Sequence, residues 1–367
     1  MIIKNTPLSL KLAPDWQEIE PRADAPQLLF ERESQLYLSK SDGKILHAFG
    51  AVGNVDCPLA ISNDQQWAFR YVCETRPGKP DFSLLRGFNL RTGAQSDLLE
   101  LGLHQWVCWF LTTLPSAKSE SANPPDSLLM GLIASDHTDE SGIHIRHRLF
   151  AFNPLNPPLR TRPLPRDAFY PLACCHRRKE IIFHGAEGIY RLGFNGERLA
   201  TLGRESGPLG RGAAFSPLHN AAILGGGGLF RWDFDTNHCV ELTPKGHWPS
   251  WHADRNEIWY SVACNDLHVM PMNPDQTVQS PQTILTAEAG RMEDVGFGSA
   301  PVVHAKGRYL LHRVRRKRLR GTTRGPTKQQ KSSERIFANE EVLCILDLEK
   351  KVLWQLPGSH EHAVWVG

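Results

Sequence analysis

Apolar and polar positions alternate in short blocks along this chain, most clearly between residues 247 and 272. An apolar segment at 249–251 is followed by a polar turn at 252–256, a second apolar segment at 258–262 and a third at 267–272. Short apolar segments separated by tight polar turns are typical of antiparallel β-structure. Three such strands make up most of one four-stranded blade of a β-propeller. The pattern therefore predicts a blade.

The same plan recurs upstream in register. Phe215 occupies the position of Trp251, and Asn220 occupies that of Asn256. The segment 173–194 repeats the two apolar strands and the turn between them. A unit that repeats every 40–50 residues or so indicates a closed array, because a single blade cannot bury both of its faces without neighbours.

We therefore predict an all-β fold: a single propeller, with seven four-stranded blades as the favoured count. Residues 1–26 form a lead-in and residues 27–367 form the array. The first blade, at 27–49, shows only three strands, whereas the segment 362–366 is an innermost strand with no blade after it. We expect this last strand to complete the first blade and so remove the open edges of the array. The innermost strands are predicted near positions 58, 106, 170, 213, 249, 301 and 363.

Composition agrees with this prediction. The chain of 367 residues has ten Trp and sixteen Phe to fill the spaces between blades, and thirty Gly and twenty-six Pro for the turns. No segment approaches the eighteen apolar residues of a membrane span, and the N-terminal stretch lacks a signal-peptide core. The eight Cys fall mostly in predicted strands without a CxxC pair, which favours free thiols in a reducing compartment. We expect a cytoplasmic protein without a cofactor.

The segment from Pro249 to Asp254, followed by the apolar strand at 258–262, resembles the repeat of TolB-like and WD40-like propellers. The usual repeat reads P-x-W-S-P-D-G before an apolar strand, and here Arg255 replaces the final Gly. The resemblance extends in weaker form over most of the chain and implies a propeller architecture. It does not imply one activity, since propellers of this kind include binding platforms, lyases and regulatory caps on peptidases.

Loops on one face of such an array usually carry function. The turn between the second and third strands of each blade and the connection into each innermost strand emerge on the same face. On that face we place a loop at 73–82, an acidic loop at 135–144 and a basic loop at 313–335. Because the third and seventh blades lie across the channel from each other, the acidic loop is expected to face the basic one.

The basic loop at 313–335 is the most distinctive feature of the sequence. It has ten Lys and Arg and one acid, a net charge of +9 against +3 for the whole chain, so the rest of the chain sums to −6. Such a segment attracts nucleic acid, anionic lipid or an acidic protein partner. The alternative is a solvated loop without a dedicated ligand. The candidate binding residues are Arg313, Arg315, Arg316, Lys317, Arg318, Arg320 and Arg324.

A second candidate site is the channel mouth on the same face. Residues at the starts of the innermost strands would surround it: Asp56, His104, Tyr170, Arg211, His247, His360 and His362. Several imidazoles around one opening can bind a divalent metal or act as acid and base. Some TolB-like propellers are similar to lyases that cleave uronate oligosaccharides with a channel metal, and His360 and His362 offer a similar pair. The alternative is an ordinary polar lining.

Other chemical motifs are absent. Gly225–Gly228 lies between two strands rather than opening a helix, so it is expected to be a turn and not a phosphate loop. No G-x-S-x-G elbow is present, and no zinc-ligand spacing is found. We therefore expect a non-catalytic protein-interaction scaffold that acts through its loop-rich face, with His104, Arg211, His247 and His362 at the mouth as further binding residues. A carbohydrate-active lyase or hydrolase using the mouth histidines, and a polyanion or nucleic-acid binder using the basic loop, are the alternatives.

Overall fold

The structure is a computed structural model. It describes residues 8–51, 59–62, 64–74, 82–101, 105–114, 128–139, 142–152, 160–175, 177–204, 212–252, 254–262, 266–275, 277–287, 300–323, 334–358 and 361–367.

In these ranges the secondary structure is built from β-strands. The first ten are β1 (Leu10–Leu12), β2 (Gln17–Glu18), β3 (Gln27–Arg32), β4 (Gln35–Ser39), β5 (Ile45–Ala51), β6 (Ala60–Ile61), β7 (Trp67–Glu74), β8 (Phe82–Asn89), β9 (Gln95–Leu101) and β10 (Gln105–Leu114). The next ten are β11 (Leu128–Asp139), β12 (Gly142–Phe152), β13 (Arg160–Pro163), β14 (Ala168–Cys175), β15 (Glu180–Gly185), β16 (Gly188–Gly193), β17 (Arg198–Gly203), β18 (Ala213–Phe215), β19 (Ala221–Gly225) and β20 (Leu229–Asp233). The last ten are β21 (His238–Thr243), β22 (His247–His252), β23 (Glu257–Val262), β24 (Asp266–Pro271), β25 (Gln282–Ala287), β26 (Val302–Val303), β27 (Tyr309–Thr323), β28 (Glu334–Asp347), β29 (Val352–Pro357) and β30 (Glu361–Val366).

The strands form seven sheets, each with a four-stranded antiparallel core. From the innermost strand outward, blades one to four are β30-β3-β4-β5, β6-β7-β8-β9, β10-β11-β12-β13 and β14-β15-β16-β17. Blades five to seven are β18-β19-β20-β21, β22-β23-β24-β25 and β26-β27-β28-β29. The fold is a seven-bladed β-propeller, as the repeat pattern and the resemblance to TolB-like and WD40-like propellers predicted. In the described residues, no helix is long and apolar enough to cross a membrane.

The core lies between the blades. The described residues form seven separate apolar clusters, one at each junction between successive blades. Strand β15 shows how one strand serves two junctions: Ile181 and Phe183 pack against blade three, whereas Ile182 packs against blade five. Successive side chains of a strand point to opposite faces, so a strand that is buried on both faces reads as an unbroken apolar run.

The ring closes as predicted from the sequence. Strand β30 pairs with β3 in antiparallel fashion, with Leu28 opposite Trp365 and Leu29 opposite Val364. The Trp365 indole also donates a hydrogen bond to the Val302 carbonyl of blade seven at 3.0 Å. The last strand of the chain therefore joins the first blade and is tied to the last one.

The described part of the lead-in packs on the rim of blades six and seven. Strand β1 extends blade six by pairing with β25, and β2 extends blade seven by a parallel pairing with β29. The Gln355 amide accepts a hydrogen bond from the Leu8 amide nitrogen and donates one to the Leu8 carbonyl, each at 2.8 Å. Because β1 and β2 connect blades six and seven, the lead-in links neighbouring blades in addition to the closure by β30.

The segments 135–144 and 313–335, expected as loops, have a different backbone. Strands β11 and β12 pair as far as Asp139 opposite Gly142, and β27 and β28 pair as far as Thr323 opposite Glu334. Both segments were predicted as loops because they are polar. Their backbones instead continue the hydrogen-bonded pairing of the second and third strands of the blade. Residues 324–333 lie outside the described part of the chain, as do residues 75–81 of the loop predicted at 73–82.

Candidate functional site

One face of the propeller carries long hairpins. Because every blade is antiparallel, the turns between second and third strands emerge on the same face as the connections into the innermost strands; we call it the hairpin face. Strand β15 has 6 residues, whereas the corresponding strands β11 and β27 have 12 and 15. Beyond the buried Val314, strand β27 continues for nine residues, roughly 30 Å at about 3.3 Å per residue.

The candidate basic residues belong mostly to this extension of blade seven. Arg313 is half-buried where β27 leaves the blade, and Arg324 lies outside the described residues. The main chain of Arg315, Arg316, Lys317, Arg318 and Arg320 belongs to β27. The register sets Arg315 opposite Glu341 and Arg316 opposite Glu340, so formal charge is balanced at the base of the hairpin. The surplus of positive charge begins at Lys317 and extends toward the tip.

The mouth histidines that the structure describes lie at irregular strand starts on the hairpin face. His247 opens β22, and its Nδ1 accepts a hydrogen bond from the Gly227 amide at 3.2 Å. His362 lies near the start of β30 with a φ of 50°. Both positions coincide with a break in register against the neighbouring strand. Such bulges change the direction of a side chain, and they are frequent beside binding sites.

The enzyme alternative needs several mouth histidines to converge. His104, Arg211 and His360 lie outside the described residues, so their convergence with His247 and His362 stays a prediction. Among the side chains that the structure does describe, no three or more of His, Cys, Asp and Glu are grouped so that they could hold a metal ion.

The structure adds an aromatic patch on blade four that sequence reasoning identified only in part. Phe169 and Tyr170, at the start of β14, are 47% and 43% exposed. The Tyr170 ring stacks on the imidazole of His184, with centroids 4.9 Å apart and an interplanar angle of 11°. The Phe169 ring is tilted by 39° against the same imidazole, with centroids 6.2 Å apart. We call these three side chains the aromatic patch.

A bulge explains why Phe169 is exposed. Ala168 pairs with Gly185 and Tyr170 pairs with His184, so Phe169 is the extra residue between two ladder pairs. The simple alternation of a strand would have sent two consecutive aromatic residues to opposite faces. A bulge in an apolar strand has no strong sequence signal, so Phe169 was missed.

Electrostatics keep the aromatic patch uncharged. Burial lowers the pKa of His184 below its usual range, and the positive charge of Arg204 lowers it further. The imidazole at the centre of the patch is therefore neutral at pH 7. Ile145, 49% exposed on the hairpin of blade three, adds apolar surface on the next blade of the same face.

The backbone beside the mouth residue His247 is strained. Trp248, next to His247, has a φ of 46°, which is unusual for a bulky residue. Its α-carbon lies 3.1 Å from the point where a β-carbon on Gly212 would stand, so the absence of a side chain at Gly212 lets the two segments approach. Strained residues of this kind cluster at ligand-binding sites, where surrounding structure holds them in place.

Several solved structures are similar to this chain at low sequence identity. Neither a protein-family model nor a curated protein sequence matches this chain. Among solved structures, an oligogalacturonate lyase in complex with manganese is similar with a TM-score of 0.49 and 12% identity, over 84% of this chain and 93% of that chain. A eukaryotic initiation factor gives 0.45 and 11% over 96% and 92%, and BamB from Moraxella catarrhalis gives 0.42 and 14% over 84% and 94%. A propeller fold by itself does not determine one activity.

Proposed function

We propose that this protein is a non-catalytic, cytoplasmic interaction scaffold that binds a protein partner through the hairpin face. The observation that carries the proposal is the aromatic patch, where two neighbouring aromatic side chains stand nearly half exposed beside the channel mouth. Protein interfaces are enriched in aromatic residues and Arg at their centre, and aromatic anchors supply much of the binding free energy.

The chemistry of the hairpin face indicates what kind of partner it binds. Blades three and four offer apolar and aromatic surface through Ile145, Phe169 and Tyr170. Across the channel, blade seven offers a positively charged hairpin whose surplus charge begins at Lys317. A partner that complements both sides has an apolar anchor for the patch and an acidic segment for the hairpin.

The size of the anchor's contribution follows from its area. An aromatic side chain buries about 150–250 Å² when fully covered, so roughly 100 Å² of each ring is still available to a partner. At about 25 cal/mol per Å², covering one ring contributes on the order of 2 kcal/mol. Removing it should weaken binding roughly thirty-fold.

The experiment is a pull-down from native lysate with three purified baits used in parallel. They are the wild type, Phe169→Ala/Tyr170→Ala, and Leu218→Ala. Leu218 is the matched control, since it is 57% exposed in the turn after β18, on the opposite face. A specific partner should be retained by wild type and by the Leu218 variant and lost by the double variant. Titration of that purified partner then gives its affinity for each bait. Equal affinity for all three baits would contradict the proposal.

A second candidate is polyanion binding by the blade-seven hairpin, because the ladder presents its positive charge on an extended β-ribbon. It is tested with Lys317→Gln/Arg318→Gln/Arg320→Gln. Contacts to phosphates give affinity that falls steeply with salt concentration and does not depend on base sequence. Salt-sensitive binding to duplex DNA that this variant loses, with no specific protein partner retained by any of the three baits, would favour the second candidate over the first.

A further inference from the structure

A pocket opens on the face opposite the hairpins, at the closure of the ring. Its volume is roughly 680 Å³, within the usual range for small-molecule sites. It lies where the end of β30 meets the turn between β26 and β27 and the turn between β4 and β5. The side chains that matter for its chemistry are Asp24, Lys40, His304, Lys306, Arg308 and Tyr309.

Two of the charged groups are already neutralised within the protein. Arg308 donates to the Asp347 carboxylate at 2.7 Å and lies 3.4 Å from a Glu349 carboxylate oxygen. Asp24 accepts two hydrogen bonds from the Arg22 guanidinium, which lowers the pKa of that carboxyl. Neither group therefore provides a free charge to the pocket.

The two lysines differ from these groups. Lys40 and Lys306 both line the pocket, and neither ammonium group has an ion pair or hydrogen bond within the described residues. Within the described part of the chain, these two side chains therefore contribute about two positive charges to the lining that no described ion pair offsets. An ammonium group binds a phosphate or carboxylate as a point charge.

The wall that carries Lys306 is held in place from both sides. His304, 4% exposed, donates from Nε2 to the main-chain oxygen of Gly367 at 2.6 Å, and its Nδ1 accepts from the Lys306 amide at 3.3 Å. From blade six, His252 donates from Nε2 to the Gly307 carbonyl at 2.5 Å. Because a main-chain oxygen can only accept, each imidazole donates from Nε2. A turn fixed at both ends loses little freedom when a ligand binds.

We infer that this pocket binds a small organic anion with two negative charges, such as a phosphate monoester or a dicarboxylate. The ammonium groups of Lys40 and Lys306 neutralise the anion, and the ring of Tyr309, 7% exposed, supplies an apolar wall for its carbon skeleton. The lining includes Gln27 and Val366, which are paired in the closing ladder, and residues 304–309 of blade seven. A bound ligand would therefore stabilise the pairing of β30 with β3 that closes the ring.

Binding to the folded state alone raises its stability. A dianion at a hundred-fold excess over its dissociation constant should raise the Tm of a chain of this size by about 3 °C. The full chain is heated with inorganic phosphate, glycerol phosphate or succinate as the probe, and with sodium chloride at matched ionic strength as the reference. The response to phosphates or to succinate identifies the anion type.

The variants are Lys40→Gln, Lys306→Gln and the pair together, with Lys245→Gln as the matched control, an exposed lysine on the hairpin face before β22. We expect a saturable rise in wild type and in the Lys245 variant, and at least a ten-fold weaker dissociation constant by calorimetry in the double variant. The inference fails if no probe exceeds the chloride reference. It also fails if the double variant binds as tightly as wild type.

Discussion

Replacing Arg70 by Met should strongly destabilise the ring, whereas replacing Arg70 and Glu31 together should not. The Arg70 guanidinium lies 2.5 Å from the Glu31 carboxylate, and the two side chains are 0% and 3% exposed. They join β7 of blade two to β3 of blade one, next to the apolar cluster of the same junction. The single change leaves the Glu31 carboxylate buried without its guanidinium.

The magnitude follows from that burial. Breaking a buried ion pair costs about 3–5 kcal/mol, because the remaining charge loses its partner and cannot recover its hydration. Replacing both partners by apolar residues of similar volume is often neutral or stabilising. For a chain of this length, 3–5 kcal/mol corresponds to a decrease in Tm of about 4–6 °C. The variants are Arg70→Met, Glu31→Leu and the two combined.

The assay is chemical and thermal unfolding, followed by Trp fluorescence, and a double-mutant cycle gives the coupling between the two positions. The control pair is Arg86 and Asp97 in the same blade, 2.6 Å apart with Asp97 58% exposed. Disrupting that pair by Asp97→Ala should cost at most about 1 kcal/mol. If the Arg70→Met/Glu31→Leu protein loses the sum of the two single effects, the reasoning about an uncompensated charge is refuted.

Three further predictions concern the closure, the lead-in and pH. Trp365→Ala removes a core indole and its hydrogen bond to Val302, so it should cost about 3–5 kcal/mol in unfolding experiments; no loss would contradict the closure. Gln355→Ala should expose residues 8–12 to limited proteolysis while the propeller stays folded, because both Gln355 contacts to Leu8 disappear. Burial lowers the pKa of His147 in the folded protein. Below about pH 6.5 the unfolded chain therefore binds a proton at this position that the folded protein does not bind, and the free energy of unfolding falls as pH decreases. His147→Gln should flatten the Tm profile between pH 7 and pH 5, an effect that an unchanged slope would exclude.

Much of the architecture was predictable because it depends on local pattern. Strands such as β15 and β23 are short, apolar and bounded by turn residues, so their bounds in the structure follow the sequence closely. That the last strand pairs with the first blade was also predictable. The first blade has three strands in the sequence pattern, and the last strand has no blade of its own. Pairing the two leaves no open sheet edge.

The candidate site was less predictable. The basic residues and mouth histidines were identifiable by composition and position, but the bulge that exposes Phe169 depends on a register with β15 that the sequence does not display. The charge balance at Arg315 and Arg316 likewise needs the register of β27 against β28. The pocket around Lys40 and Lys306 draws on residues that are 266 positions apart.

By itself, the sequence determined the all-β class, the repeat and the closure of the ring, because alternation and turn chemistry act over a few neighbouring residues. Only the tertiary structure decided that the basic segment continues as a strand-paired hairpin, that Phe169 and Tyr170 lie beside one neutral imidazole, and that Lys40 and Lys306 line one pocket. These features depend on register and on which partner each charge finds. Both are settled by packing between distant segments and not by the local pattern.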